Sequence, residues 1–104
     1  MLRSSPVFTL THPQKRQLKA LAHHLKPVVI IGDNGLTPAV MYEIVQALDR
    51  HELVKLRVNA DDREARAQMI AEICAETTAV LVQRLGHVAT LFRRNPEAPR
   101  IELP

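Results

Sequence analysis

The residues best suited to chemistry lie near the front of the chain. Laid out at about 100° per residue, His12, Lys15, Arg16, Lys19 and His23 fall within one arc of a helix. Leu18, Leu21 and Leu25 centre on the opposite side. One face therefore suits a core and the other suits anions. A solvated basic face is the plainer reading, but surface helices usually mix signs to gain i,i+4 pairs, and this stretch holds no Asp or Glu. The second candidate is Gly32-Asp33-Asn34-Gly35. Two residues without a Cβ would let a sugar-phosphate backbone come close to the main chain. The N–H groups that open the following helix would point at the same bend. Asp-Asn-Gly is also an ordinary turn sequence, and the charge of Asp33 works against a phosphate.

Catalytic sets are harder to assemble. Serine occurs only at Ser4 and Ser5, in a stretch that reads as a loose arm. Cys74 lies beside an apolar helix face, the setting of a buried, inert thiol. His12, His23, His24, His51 and His87 lack zinc spacing, and one cysteine supplies no thiolate set. Asp61, Asp62 and Glu64 are explained by helix capping, because acids at a helix start are favoured by its dipole. No glycine-rich loop ends in Lys-Ser or Lys-Thr, so a Walker A site is absent. The expectation is a protein without catalysis, cofactor, metal or small-molecule substrate.

Composition narrows the class further. With 104 residues, 46% apolar and 24% charged, the chain has room for one folded domain. No apolar run approaches the roughly 20 residues of a membrane helix, and the start lacks the apolar core of a signal peptide. A single cysteine fits a reducing, cytoplasmic setting. The net charge is +3, but it is unevenly spread. Arg3, Lys15, Arg16, Lys19 and Lys26 precede the first acid, Asp33, whereas residues 61–78 carry five acids against Arg63 and Arg66. A positive field concentrated at the front attracts polyanions. Phe8, Tyr42 and Phe92 are the only aromatic residues of these types, which disfavours a sheet that stacks bases on exposed rings.

These residues need elements to position them. Thr11-His12-Pro13-Gln14 is a capping box with Pro in the first turn, and it opens a helix that ends before Pro27. Leu18, Leu21, Ala22 and Leu25 form its apolar stripe. Pro27 to Ile31 is short, continuous and β-branched, which predicts a strand buried on both faces and central in its sheet. Thr37 caps a second helix with Pro38 at its first position, running to about His51 and burying Val40, Ile44, Val45 and Leu48. Leu53 to Val58 alternates: Val54, Leu56 and Val58 on one face, Leu53, Lys55 and Arg57 on the other. Asp61-Asp62-Arg63-Glu64 opens a third helix, with Ala65, Met69, Ile70 and Ile73 on its apolar side. Val80 to Leu85 and Val88 to Arg93 read as a hairpin turning at Gly86-His87. The order α-β-α-β-α-β-β implies an α/β domain with a four-stranded mixed sheet. The expected division is an arm at 1–9, a domain at 10–94 and an irregularly packed tail at 95–104.

Together, Leu10-Thr11, Leu21-Ala22-His23, Leu25-Lys26-Pro27-Val28-Val29, Gly32-Asp33-Asn34-Gly35-Leu36-Thr37 and Glu52-Leu53-Val54-Lys55 resemble the CRM domain, named for chloroplast RNA splicing and ribosome maturation. The short length is similar to its stand-alone bacterial, YhbY-type form. Leu91-Phe92-Arg93 resembles the family's closing Leu-Tyr-Arg. The resemblance implies a single KH-like fold, similar to the C-terminal domain of bacterial translation initiation factor three. It implies RNA binding through the GxxG loop, as in KH domains, and association with rRNA in precursors of the large ribosomal subunit. Carried over by position, Gly32, Asp33, Asn34 and Gly35 are the loop. Lys26 and Lys55 match family positions. Lys15, Arg16, Lys19 and His23, with Arg57, form the adjoining basic surface. The expected partner is RNA bound by a monomer, with no membrane. Two departures stand out. Many members have Lys where this chain has Asp33, which predicts a weaker grip on phosphate. The family's Gly-Gly before the third strand is Thr78-Ala79 here, which predicts a different turn. The rival readings are a duplex-DNA-binding protein, separable by competition with structured rRNA, and a module docking an acidic protein, whose ribosome association would survive RNase.

Overall fold

A computed structural model describes residues 9–104. Of the segment read as an arm, residues 1–8, with Arg3, Ser4, Ser5 and Phe8, lie outside the described residues. The first helix, α1 (His12–Ala22), begins where its capping box places it. Thr11 Oγ1 accepts from the Gln14 N–H at 3.2 Å, and Gln14 Oε1 accepts from the Thr11 N–H at 3.0 Å. Two donors that a helix start leaves over are thus satisfied reciprocally. The helix stops at Ala22 and the chain turns through His23 and His24, earlier than the constraint of Pro27 requires. The apolar stripe is correspondingly shorter than expected. Leu18 and Ala22 are buried, but Leu21 and Leu25 remain 41% and 40% exposed; Leu25 lies beyond the last helical turn.

The other elements follow in the anticipated order: β1 (Pro27–Ile31), α2 (Pro38–His51), β2 (Leu53–Val58), α3 (Arg63–Thr77), β3 (Val80–Leu85) and β4 (Val88–Phe92). The sheet order is β1-β2-β4-β3, with β1 parallel to β2 and the other two pairings antiparallel. α2 is the crossover that a parallel pair requires. One expectation is overturned. β1 is an edge strand, not a central one, and it is covered on one face only: Val29 and Ile31 are buried, while Val28 and Ile30 are 53% and 61% exposed. The reason is where the helices lie. α1 packs on β2 and β3, and among the described residues no helix covers the face of β1 that carries Val28 and Ile30. A continuous apolar run cannot reveal that by itself.

The sheet separates two cores. On one face Ile44 and Leu48 of α2 and Ile70 and Ile73 of α3 pack against Val54, Leu56 and Val58 of β2, with Ala89 and Leu91 of β4. On the other, Leu18 and Ala22 of α1 pack against Leu53, Val82 and Phe92. The C-terminal segment closes this second core through Ile101 and Leu103, and Gln14 and Gln17 of α1 donate to the Pro104 and Glu102 carbonyls.

One buried carboxylate ties that segment down. Glu52 joins α2 to β2 in a left-handed conformation, φ 64°, and is 0% exposed. Its oxygens accept from the backbone N–H groups of Asn95 (2.6 Å), Arg100 (2.9 Å) and Ile101 (3.0 Å), and from the Arg94 guanidinium at 3.2 Å. Burial works to raise its pKa, but the three N–H donors and Arg94 outweigh it and hold the carboxyl below its usual value. The carboxylate therefore stabilises the fold at any pH above the unfolded-chain value near 4.5, and that contribution is lost as pH falls through the lower folded value. Glu52→Gln should cost about 2–3 kcal/mol at pH 7. Urea unfolding should show the gap between variant and parent narrowing as pH drops below 4.5.

The departure at Thr78-Ala79 also has a structural consequence. Thr78 ends α3 in the left-handed region, φ 62°, where a β-branched residue is strained. Thr78→Gly should raise stability by about 1 kcal/mol, read as a higher urea midpoint with an unchanged slope.

Candidate nucleic-acid interface

β2 carries the link between the two candidate features. Its alternation turns Leu53, Lys55 and Arg57 to the α1 face, in steps of about 7 Å. Leu53 lies under α1 in the second core. Lys55 emerges at the flank of the helix, where it lines a cleft of about 490 Å³ with Lys19 and His23 of α1. Arg57 continues the row. It pairs in register with Ile30 of β1, and its Nε donates to Asn59 Oδ1 at 3.0 Å. The Asn59 N–H in turn donates to the Ile31 carbonyl at 3.0 Å, so Arg57 ends beside the start of the Gly32–Gly35 bend. The β3–β4 turn reaches the same end of the sheet, because the Val58 N–H donates to the His87 carbonyl at 2.7 Å.

The bend is a β-turn closed by the Gly35 N–H on the Gly32 carbonyl at 3.0 Å. Gly32, Asp33 and Asn34 are exposed. The two glycines serve different purposes. Gly35 has φ +71°, so the fold itself demands it. Gly32 does not have such a φ, and a Cβ there would meet nothing within 4 Å. The fold would accept a side chain at Gly32, whereas a partner approaching the main chain would not. The donors of α2 contribute less than expected. Pro38 has no N–H, Thr37 Oγ1 takes the Val40 N–H at 3.2 Å and the Thr37 carbonyl takes that of Met41. Ala39 is the first-turn donor that this capping leaves over.

The remaining sequence candidates sit apart from the cleft. Lys15 lies one turn before Lys19 on the same flank, and Arg16 is exposed beside it. Lys26 stands at the other end of β1, about 20 Å of strand from the loop, beside an apolar groove lined by Leu21, Leu25, Val28 and Leu53. The two ion pairs among the described residues are Arg93 with Asp49 and Arg94 with Glu52. The closing arginines are therefore neutralised locally, while Lys15, Arg16, Lys19, Lys26, Lys55 and Arg57 have no carboxylate within ion-pair distance among the described residues. These cations favour a polyanion, and the exposed carboxylate of Asp33 in the bend opposes them.

Burial pushes the Cys74 thiol pKa up, the opposite of what a nucleophile needs. Among the described residues no three His, Cys, Asp or Glu side chains gather as a metal site, and no helix is long and apolar enough to cross a membrane. Sequence reasoning missed two residues of the cleft, Gln83 and Thr90. A polar Thr inside the otherwise apolar run Val88–Phe92 was a signal for the second; nothing signalled the first.

Comparison with known proteins agrees with the fold. The CRS1/YhbY (CRM) domain model matches residues 10–93. A Haemophilus influenzae protein named as RNA-binding is 50% identical over 96 residues, covering 92% of this chain and 96% of its own. A Pseudomonas aeruginosa protein also named for RNA binding is 43% identical over 88 residues, 85% of each chain. The solution structure of a Staphylococcus aureus protein superposes with a TM-score of 0.79 at 31% identity, covering 92% of this chain and all of that one. Over nearly its whole described length, this chain belongs to the CRM domain family.

Proposed function

We propose that this protein is a cytoplasmic, non-catalytic RNA-binding module that docks on rRNA in precursors of the large ribosomal subunit. The observation that carries the RNA part is the row Lys19–Lys55–Arg57, without a carboxylate at ion-pair distance among the described residues, which leads along β2 to a turn whose Gly32 is free of any internal requirement. Cations positioned on a helix flank and a strand neutralise phosphates, and the side-chain-free bend accepts the sugar-phosphate backbone at close range. Relatives named for RNA binding support the same reading. The ribosomal partner rests on the family resemblance of residues 10–94.

Backbone docking of this kind depends on counterion release. With four phosphates contacted, log affinity for single-stranded RNA should fall with log salt at a slope of about −3. Lys15→Glu combined with Lys19→Glu should weaken binding at least tenfold at low salt and flatten that slope, with circular dichroism unchanged. Salt-independent binding, or a folded double variant that binds as the parent does, contradicts the mechanism.

The two glycines make a second test. Gly32→Ala should leave the melting temperature unchanged and reduce RNA affinity several-fold. Gly35→Ala should instead destabilise the fold by about 1–2 kcal/mol through its left-handed backbone. Equal RNA affinity for Gly32→Ala and the parent would remove close approach at the loop from the account.

A further inference from the structure

Beyond α1, strand register sets three polar side chains in one row across the sheet. Thr90 of β4 pairs with Lys55 of β2 on one side and with Gln83 of β3 on the other. The neighbouring row, Leu53–Phe92–Val80, is apolar and lies beneath α1. The row on the other side is Arg57–Val88–Leu85. The polar row is the floor of the cleft whose wall carries Lys19 and His23.

Gln83 is there because of a backbone irregularity. Val80 and Val82 face α1, and Leu81 lies on the α3 side. Strict alternation would send Gln83 to the α3 side as well. The register shifts instead between Leu81 and Gln83, as in a β-bulge, where two residues oppose one and a side chain is re-aimed. Val82 and Gln83 both end on the α1 face, and Arg84 goes to the other.

Thr90 supplies an independent observation. It is 3% exposed, and a polar side chain that buried normally has a hydrogen-bond partner. No hydrogen bond of its hydroxyl is found among the described residues. The sealed, unpartnered side-chain atom among them is Arg66 Nε, not Thr90 Oγ1, so the hydroxyl reaches the cleft it lines. A hydroxyl that donates and accepts stands next to a carboxamide that does both. Ala20, Leu85 and Val88 supply apolar walls, and the volume of about 490 Å³ suits a small planar ligand.

From this arrangement we infer that the cleft is a base-reading subsite for one unpaired nucleotide of single-stranded RNA, with the polar edge of the base on Thr90 and Gln83 and its phosphate on Lys19 and Lys55. The inference rests on the RNA-binding reading above and adds to it a contact that depends on base identity. A base within an A-form duplex is already paired and cannot present that edge.

The test is fluorescence anisotropy with labelled 12-mers of A, U and C, using the intact protein, Thr90→Val, Thr90→Ser and Gln83→Leu. The parent should prefer one base by about fivefold, the worth of one hydrogen bond. Thr90→Val and Gln83→Leu should bring the three affinities within twofold of one another while keeping the parent's salt slope. Thr90→Ser, which keeps the hydroxyl, should retain the preference. Should Thr90→Val fail to fold, the half-buried Gln83→Leu and the hydroxyl-retaining Thr90→Ser decide the matter. A parent that binds all three alike with a steep salt slope, or variants that keep the preference, overturns the subsite and leaves the RNA reading intact. Thr90-dependent binding of free mononucleotides without any effect on the 12-mers also overturns it. A parent that binds no RNA overturns both.

Discussion

The two-residue period of β2 is the constraint on which the rest depends. Val54, Leu56 and Val58 must face α2 and α3, because they form the middle of the larger core. That choice sends Leu53, Lys55 and Arg57 to the other face without further freedom. β2 lies between β1 and β4, so the outward row crosses the middle of the sheet and joins α1 at one end to the Gly32–Gly35 bend at the other. A register slip of one residue would bury both cations and expose three core side chains. The proposed interface is therefore specified by the same packing that specifies the fold.

Charge is divided in a matching way. Arg93 and Arg94, which follow β4, are paired with Asp49 and Glu52; Arg94 also donates to the Ile101 carbonyl and so holds the last segment. That segment, through Ile101 and Leu103, seals the α1 core. The cations of α1 and β2 have no carboxylate within ion-pair distance among the described residues, and Lys19 and Lys55 line the cleft beside α1. Burying an acid at Glu52 thus has two effects: it anchors the tail, and it keeps that negative charge away from the open face.

Much of this was legible in the sequence, for identifiable reasons. Capping residues at Thr11, Thr37 and Asp62 mark all three helix starts, because their side chains act on N–H groups only two or three residues away. The alternation of Leu53 to Val58 gives both the core row and the basic row. What was not legible depends on contacts distant in sequence. The placement of β1 at an edge follows from which strands pair, and an apolar run of five residues is the same string at an edge or in the middle. Leu21 and Leu25 read as core, but both are half open, Leu25 because the helix ends at Ala22. The anchoring role of Glu52 is not legible, because its three N–H partners lie more than 40 residues away. Gln83 owes its orientation to a bulge that no residue type in β3 announces.

The central claim is that a single surface, running from Lys19 and His23 across Lys55 and Arg57 to Gly32–Gly35, meets RNA. Ultraviolet crosslinking of the intact protein to rRNA, followed by mass-spectrometric identification of the peptide–nucleotide adducts, tests it most directly. The account predicts adducts within residues 15–23, 32–35 and 55–59. Adducts concentrated on α3 or on the outward side of α2, with those three segments unmodified, would contradict it.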